Sequence, residues 1–549
     1  MSQTGGAVQY RKLRAPQQHA GVLLEPGLDL LPKTIATNQH RLSKFQHIEI
    51  TGTPFLELQT QARQHLLCEA KKYTFAYRES FDVPSDTNPS TPLILSGHQP
   101  ALFHPGVWFK NFVIDRMAKL AGGTAINLII DNDTISAPSI TVPVDVESVN
   151  GLPSQLSQST VAYDQATAQI PWQMRQVVDD AKFESFGERV REQLSSKVQD
   201  PLIETLWPLV TEAVKSHGNI GRAFAQARHT LEAQANLQTL EIPLGQLVDS
   251  SSAFHHFFLH IASQIETFQE IYNSAIREYR SVHKIRSSSH PVPELEQSGN
   301  QYELPFWVWS TERPQRQRLF VEQTTTGLKL SDNHSWSAII SKDRDQFQKQ
   351  FLELVEKGIS IRPRALMTTM FARMFISDLF VHGIGGAKYD QLTDSIIERF
   401  FGFSAPQFAT ATASVYLPLM KQRMDAGKIA SLKRQLRDLR FNPDRSLTMD
   451  GLSLDEQEII LQIISDKQHW IKAEVAGNRL SERHRAIEQA NHALQAYVQS
   501  TRDKLLGKLD KVQFETRIDR IAFSREYSFS LFPIQTLPIL LLDLASNRP

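Results

Sequence analysis

Cysteine is almost absent from this chain: Cys68 stands alone among 549 residues. A single thiol excludes an intramolecular disulfide and any cysteine-rich zinc or iron–sulfur centre. It also fits a reducing compartment, so the expected location is cytoplasmic. An excess of charge of either sign is missing as well. Lys plus Arg and Asp plus Glu number 59 each, so no global field draws the chain to nucleic acid or to an anionic membrane, and neither is an expected partner. Long apolar runs are lacking too. The most apolar segment, residues 534–542, carries Gln535 and Pro538 and is too short to span a bilayer. The first residues, with Gln3, Arg11, Lys12 and Arg14 among small side chains, have no apolar stretch of the kind a secretory signal needs.

What is present suffices for folding. Hydrophobic residues make up 41% and charged residues 21% of the chain, far from the composition that keeps a chain disordered. The length exceeds what one compact core accommodates, so several domains are expected. Residues 54–80 have the length and apolar scatter of a helix, followed by a loop rich in Pro, Ser, Asn and Asp over residues 82–92. Leu93, Ile94 and Leu95 then form a short apolar run. A segment rich in Gly, Pro and His covers residues 97–106, helical periodicity covers residues 107–120, and a second apolar run covers residues 125–130 before Asp131, Asn132 and Asp133. Strand, helix and strand make one βαβ unit with parallel strands. The fold class is therefore α/β, and the carboxyl ends of such strands are where ligands bind.

Residues 147–361 read as a mainly helical insertion, with helices expected over 183–195, 202–238 and 253–282. A β-rich patch, residues 302–330, lies near its end, where Phe306, Trp307, Val308 and Trp309 precede Leu319, Phe320 and Val321. The core is expected to resume with the apolar residues 362–382, the glycine-rich turn 383–386 and a helix over 387–401. In the last third, Leu480, Ile487, Leu494, Val498, Leu505 and Val512 recur at coiled-coil spacing. A helical hairpin packing on itself or on a second subunit is expected there.

Three segments carry candidate chemistry. In SGHQPALFHPGVWFK, residues 96–110, a loop between strand and helix offers backbone N–H groups and the positive helix end to a phosphate. His98 and His104 flank that loop and are suited to hydrogen bonding a phosphoryl oxygen or carrying a proton, and Lys110 adds a point charge. Asp131, Asn132 and Asp133 at a strand end suit ribose hydroxyls, a substrate amine or proton acceptance; the plain alternative is a polar turn. In HGIGGAKYDQ, residues 382–391, three glycines let backbone approach a ligand before a helix start. Each segment falls at a βα junction, and junctions of one parallel sheet converge on one edge.

Three other features read as structural. His256 and His260 have the spacing of helical zinc ligands, yet lack the adjacent Glu of a metalloprotease and sit among Phe254, Phe257, Phe258 and Leu259, so no metal site is assigned. The basic stretch 421–440 is expected to be a solvated or interface helix, with RNA contact as the alternative. Trp307 and Trp309 share one strand face and are expected in a core, with stacking on a ligand as the alternative.

GHQPALFHPG followed by Lys110, then IDND, then HGIGGAKYDQ, resemble in order and approximate spacing the motifs of the bacillithiol biosynthesis cysteine-adding family. The resemblance spans most of the chain at motif level. It implies a Rossmann-like, nucleotidyltransferase-type core: residues 1–146 as its first part, residues 147–361 as connecting insertion and residues 362–415 as its second part. Residues 416–512 would then form a helical coiled-coil domain that makes homodimers, and residues 513–549 a return to the core. Gly97, Gln99, Phe103, Gly106, Asp131, Asp133, Gly386, Tyr389 and Gln391 match the family's motif positions. Lys110, His382, Gly383 and Gly385 complete the expected binding set, and His98, His104, Asp131 and Asp133 the catalytic set. The sequence departs from the family where His98 replaces a usual Gln, where Asn132 replaces a usual His, and in the aromatic patch of residues 302–309. The implied activity is ligation of an amino acid, cysteine in the family, to an amine-bearing sugar-type small molecule, with ATP or ADP as the candidate nucleotide. The acid would be activated as an acyl phosphate or acyl adenylate, and Asp131 or Asp133 would orient or deprotonate the amine. A non-catalytic nucleotide-binding protein and an RNA-associated factor are the alternatives.

Overall fold

The computed structural model describes residues 13–78, 90–135, 137–146, 155–167, 169–420, 427–474, 477 and 479–546. The chain is a mixed α/β protein that divides into two units. One comprises residues 1–144, 158–417 and 525–549, and the other residues 145–157 and 418–524.

The first unit is built on a six-stranded sheet in which Gly21–Glu25 is an antiparallel edge and five strands run parallel. In chain order the parallel strands are Leu93–His98, Thr124–Ile129, Thr239–Pro243, Leu379–His382 and Ala409–Ser414. Across the sheet they stand third, second, first, fourth, fifth. The direction of winding therefore reverses between Leu93–His98 and Leu379–His382, and a crevice opens at the carboxyl ends of those two strands. Their backbone starts are tied together, because Asp378 Oδ2 accepts from Leu93 N at 2.7 Å and from Arg63 Nη2 at 2.8 Å.

The expected strand–helix–strand unit is present as Leu93–His98, Pro105–Ala121 and Thr124–Ile129. Both strands are apolar runs because helices cover both faces of the sheet. Ala409–Ser414 is buried throughout yet consists of Ala, Thr and Ser. Small side chains are required there because the helix Pro105–Ala121 lies close: a Cβ on Gly106 would come within 2.3 Å of the Ala413 carbonyl oxygen.

Residues 147–361, read as a mainly helical insertion, also supply the parallel strand Thr239–Pro243, buried along its whole length. The expected helix over 202–238 is two helices, Ile203–His217 and Ile220–Gln234, separated where Gly218 takes φ +73° and Asn219 caps the second through Arg222 N. Ser252–Ser263 and Ile265–His283 likewise replace one helix over 253–282. The aromatic patch forms an antiparallel sheet of six strands, with Gln301–Ser310 paired to both Gln317–Gln323 and Ile359–Pro363. His256 bonds Thr51, and His260 packs on Phe400 and Phe401, as the structural reading of that helix expects.

Beneath the sheet, Arg228 bridges Glu232 and Glu241, while Trp108 Nε1 and Asn111 Nδ2 each donate to Glu232 Oε1 at 2.7 Å. His229, Glu232 and Glu241 offer ligand-type atoms within 4.8 Å of one another. Arg228 and Arg78 already balance the two carboxylates, and Arg78 Nη1 lies 2.8 Å from His229 Nε2. This is a charge-matched buried network, which costs several kcal/mol if one partner is removed.

The second unit is helical: Gly427–Phe441, Leu454–Lys472 and the 44-residue Arg479–Ala522. Ser453 and Glu456 form a capping box at the start of Leu454–Lys472. Of the heptad positions, Leu494 and Val498 are buried and Leu480 is exposed. Part of the basic stretch, residues 421–426, lies outside the described residues. Among the described residues no helix is long and apolar enough to cross a membrane.

Candidate functional site

A cavity of about 1140 Å³ opens at the reversal point of the sheet. Its base is formed by the ends of the two central strands, with Gly97, His98 and Gln99 on one side and His382, Gly383, Gly385 and Gly386 on the other. Two helices begin here, Pro105–Ala121 and Ile384–Ile396, so two positive helix ends face the same space. Lys110, Asp133, Asn132, His104, Gly106 and Tyr389 join the lining. Most of the residues expected from sequence therefore meet in one place.

Three of them do not line the cavity. Asp131 is buried behind it, where Oδ1 accepts from Gly245 N at 3.0 Å. Burial lifts its carboxyl to about 6 despite the nearby Arg362. Phe103 instead packs on the His98 ring at 5.1 Å and on Phe529 at 5.5 Å, and so holds the loop in place. Gln391 lies beyond the first turn of its helix, away from the lining.

The loop is not a free anion cradle in the way its composition suggests. His104 caps the helix: its Nδ1 accepts from Gly106 N at 3.1 Å, which uses one of the helix's unpaired donors. The neutral ring then carries its proton on Nε2 and has a donor to offer. His98 has the opposite arrangement. Its Nδ1 lies 3.2 Å from the Gln99 carbonyl oxygen, which only accepts, so Nδ1 holds the proton and Nε2 is an acceptor. Burial, with Lys110 close by, depresses His98 to about 3, and burial with Arg525 depresses His104 to about 4. Both rings are therefore neutral near pH 7.

Lys110 is 3% exposed and donates to the Gly97 carbonyl oxygen at 2.7 Å. Burial, aided by Arg228, lowers its ammonium to about 7. Asp133 remains ionised. Burial alone would raise it, but Gln99 Nε2 at 2.8 Å, Thr134 N at 2.9 Å and Arg316 Nη1 at 2.8 Å hold it below the usual carboxylate range.

One wall comes from the antiparallel sheet, and there Trp307, expected in a core, lines the cavity, while Trp309 is buried. Trp307 lies between two guanidiniums, with Arg316 4.3 Å and Arg364 4.1 Å from its ring centroid. Arg364 is also anchored to the buried Glu303 at 2.6 Å. Arg525, which reaches Thr412 Oγ1 at 2.9 Å, comes from the segment following the second unit. Arg14, Lys110, Arg316, Arg364, Lys388 and Arg525 face only Asp133 and Glu526 in the lining, so basic groups outnumber acidic ones there in a chain of zero net charge. The sequence offers stacking on a ligand as the alternative for Trp307, but nothing near Arg316, Arg364 or Arg525 in sequence marks them as members of this cavity.

The arrangement suits an anion of phosphate type beside a polar group able to accept and donate single hydrogen bonds. Neither a protein-family model nor a curated protein matches this chain.

Proposed function

We propose that this protein binds a nucleotide or a comparable phosphate ligand on a Rossmann-like core and acts as a carbon–nitrogen ligase. In this reading it is a divergent relative of the bacillithiol cysteine-adding family, joining an amino acid to an amine-bearing sugar-type substrate. The observation that carries the proposal is the meeting of two helix starts with Lys110, Arg364 and Arg525 at the reversal point of a parallel sheet. The strand order supports the Rossmann-like assignment, since the five parallel strands follow the same order as the first five of a doubly wound dinucleotide-binding sheet, with an antiparallel strand at the edge where that sheet has its sixth.

In amide formation the carboxyl group is first activated, and the phosphate of the activated acid is what the positive cavity would hold. His104, with a donor on Nε2, and Lys110 would stabilise charge developing on phosphoryl oxygens. Asp133, ionised and fixed by Arg316, would orient the substrate amine. Asp131, set behind the cavity, supports the strand end and takes no part in the chemistry.

The test is thermal unfolding of the full chain with ATP, ADP, AMP, cysteine and amino sugars, repeated on Arg364→Ala. ATP at one hundred times its Kd stabilises by about 2.7 kcal/mol, so a rise of a few degrees is expected and should largely vanish in the variant. No shift with any nucleotide at millimolar concentration would end the nucleotide reading. A nucleotide shift without product from ATP, cysteine and glucosaminyl malate would leave a binding protein without this ligase activity.

A further inference from the structure

We propose that His382 is the proton acceptor of the cavity, the lone pair of its neutral ring placed on Nδ1 by an Asp390 carboxylate bonded to the opposite ring nitrogen. The inference rests on the ligase reading above and assigns the base of that reaction to a residue expected only to bind.

His382 ends the strand Leu379–His382, lines the cavity and is 4% exposed. Its Nε2 lies 2.8 Å from Asp390 Oδ2. The same oxygen accepts from Arg373 Nη1 at 2.6 Å, and Thr369 Oγ1 donates to Oδ1 at 2.7 Å. Burial would raise this carboxyl, yet Arg373 and His382 hold it far below the usual carboxylate range. An ionised carboxylate only accepts hydrogen bonds, so in the neutral imidazole the proton sits on Nε2 and the lone pair on Nδ1.

The surroundings keep Nδ1 available. No hydrogen bond to it is made among the described residues. A Cβ on Gly386 would stand 2.6 Å from Nδ1, so glycine here leaves room beside the nitrogen; it lies in the first turn of the helix Ile384–Ile396, which takes up the residues expected as a glycine-rich turn. Phe380 and Phe408, with ring centroids 4.7 Å and 5.0 Å away, fix the plane of the ring.

The other cavity histidines lack this combination. In His104, Nδ1 is occupied by the Gly106 N–H, and His98 faces Lys110 with no carboxylate behind it. His104 Nε2 lies 3.9 Å from Glu526 Oε2, beyond hydrogen-bond length, whereas His382 combines an unoccupied acceptor nitrogen with a carboxylate hydrogen bonded across the ring, the arrangement by which a carboxylate orients a catalytic imidazole.

In the step assigned to it, the substrate amine nitrogen attacks the carbonyl carbon of the activated acid. The C–N bond forms, and the C–O bond to the phosphate breaks with its electron pair going to the phosphate oxygen. One N–H proton passes to His382 Nδ1 and is later released to the departing phosphate. Atoms and charge balance without a further reactant.

The test is a long-range ¹H–¹⁵N spectrum of the full chain labelled at its 18 histidines, with the His382 signals identified by their loss in His382→Gln. The Nε2–H tautomer is expected, and Asp390→Ala, which removes the acceptor beyond Nε2, should let the proton distribute between the two ring nitrogens. An Nδ1–H tautomer in the unsubstituted protein would overturn the proposal, and that spectrum decides even if Asp390→Ala fails to fold. In the assay with ATP, cysteine and glucosaminyl malate, His382→Gln should keep the nucleotide-induced thermal shift and lose turnover by about 100-fold or more. Retained turnover would overturn the proposal. Absence of any nucleotide shift in the unsubstituted protein would strike at the ligase reading instead, leaving the spectrum to judge His382.

Discussion

Lys110 shows how burial converts a side chain that looks like a fixed charge into a titrating one. Its ammonium, lowered from 10.5 to about 7, loses its proton in the folded protein at a pH where the unfolded chain still holds it. Between pH 7 and 10.5 the unfolded state therefore binds more protons, and this group makes stability rise with pH across that window. Below pH 7 both states are charged, and the desolvation cost is constant. Lys110→Met removes that cost, so its melting temperature should exceed that of the unsubstituted protein at pH 6. The gap should narrow steadily toward pH 10; a gap independent of pH would show that Lys110 is not so perturbed. Affinity for a phosphate ligand should run the other way, falling as pH rises through 7, because the deprotonated amine no longer offers a charge.

At the scale of elements, the site depends on how closely the helix Pro105–Ala121 lies on the strand Ala409–Ser414. Gly106 makes that approach possible, since a Cβ there would meet the Ala413 carbonyl oxygen at 2.3 Å and Arg525 Nη2 at 2.5 Å. Backbone, unlike the end of a flexible side chain, cannot step aside cheaply. Gly106→Ala should therefore destabilise the fold by about 1–3 kcal/mol and weaken nucleotide binding by displacing the helix start and Arg525. Chemical denaturation and the thermal-shift assay read the two effects separately; unchanged stability would mean that the helix moves freely. The antiparallel sheet serves the site through Trp307 of its strand Gln301–Ser310 and Arg364 just after its edge strand Ile359–Pro363, while most of its apolar face is buried in the core with Phe254, Phe258, Phe347 and Phe351.

For the whole molecule, the helices of the second unit carry several exposed apolar residues. Leu454 is 83% exposed, Leu461 58%, Leu480 54% and Ile459 53%. We propose that these helices form the coiled-coil-like interface of a homodimer, in which such side chains would be covered. Sedimentation at tens of micromolar should give a dimer, and Leu461→Glu combined with Leu480→Glu should give a monomer. A monomeric unsubstituted protein would end this proposal. Ligand binding in the cavity should be unaffected by the double substitution, because every residue lining it belongs to the first unit.

The sequence by itself determined the parts governed by local chemistry. The run Leu93, Ile94, Leu95, the glycine- and histidine-rich loop and the helix after it could be read as strand, loop and helix, because each has its own periodicity or turn residues. The convergence of residues 97–110, 131–133 and 382–389 also followed, since parallel strands place their carboxyl ends along one edge. Tertiary structure decided the rest. Thr239–Pro243 and Ala409–Ser414 are strands only because neighbours pair with them and pack on them; neither has enough apolar pattern to announce itself. The roles within the site were likewise hidden. Whether Asp131 faces the ligand or Asp133 does, which nitrogen of each histidine holds the proton, and how Asp390 comes to lie behind His382 depend on side-chain directions fixed by packing. Arg316, Arg364 and Arg525 reach the cavity from distant segments, and a chain of zero net charge gains a site rich in basic groups only when folding gathers those side chains.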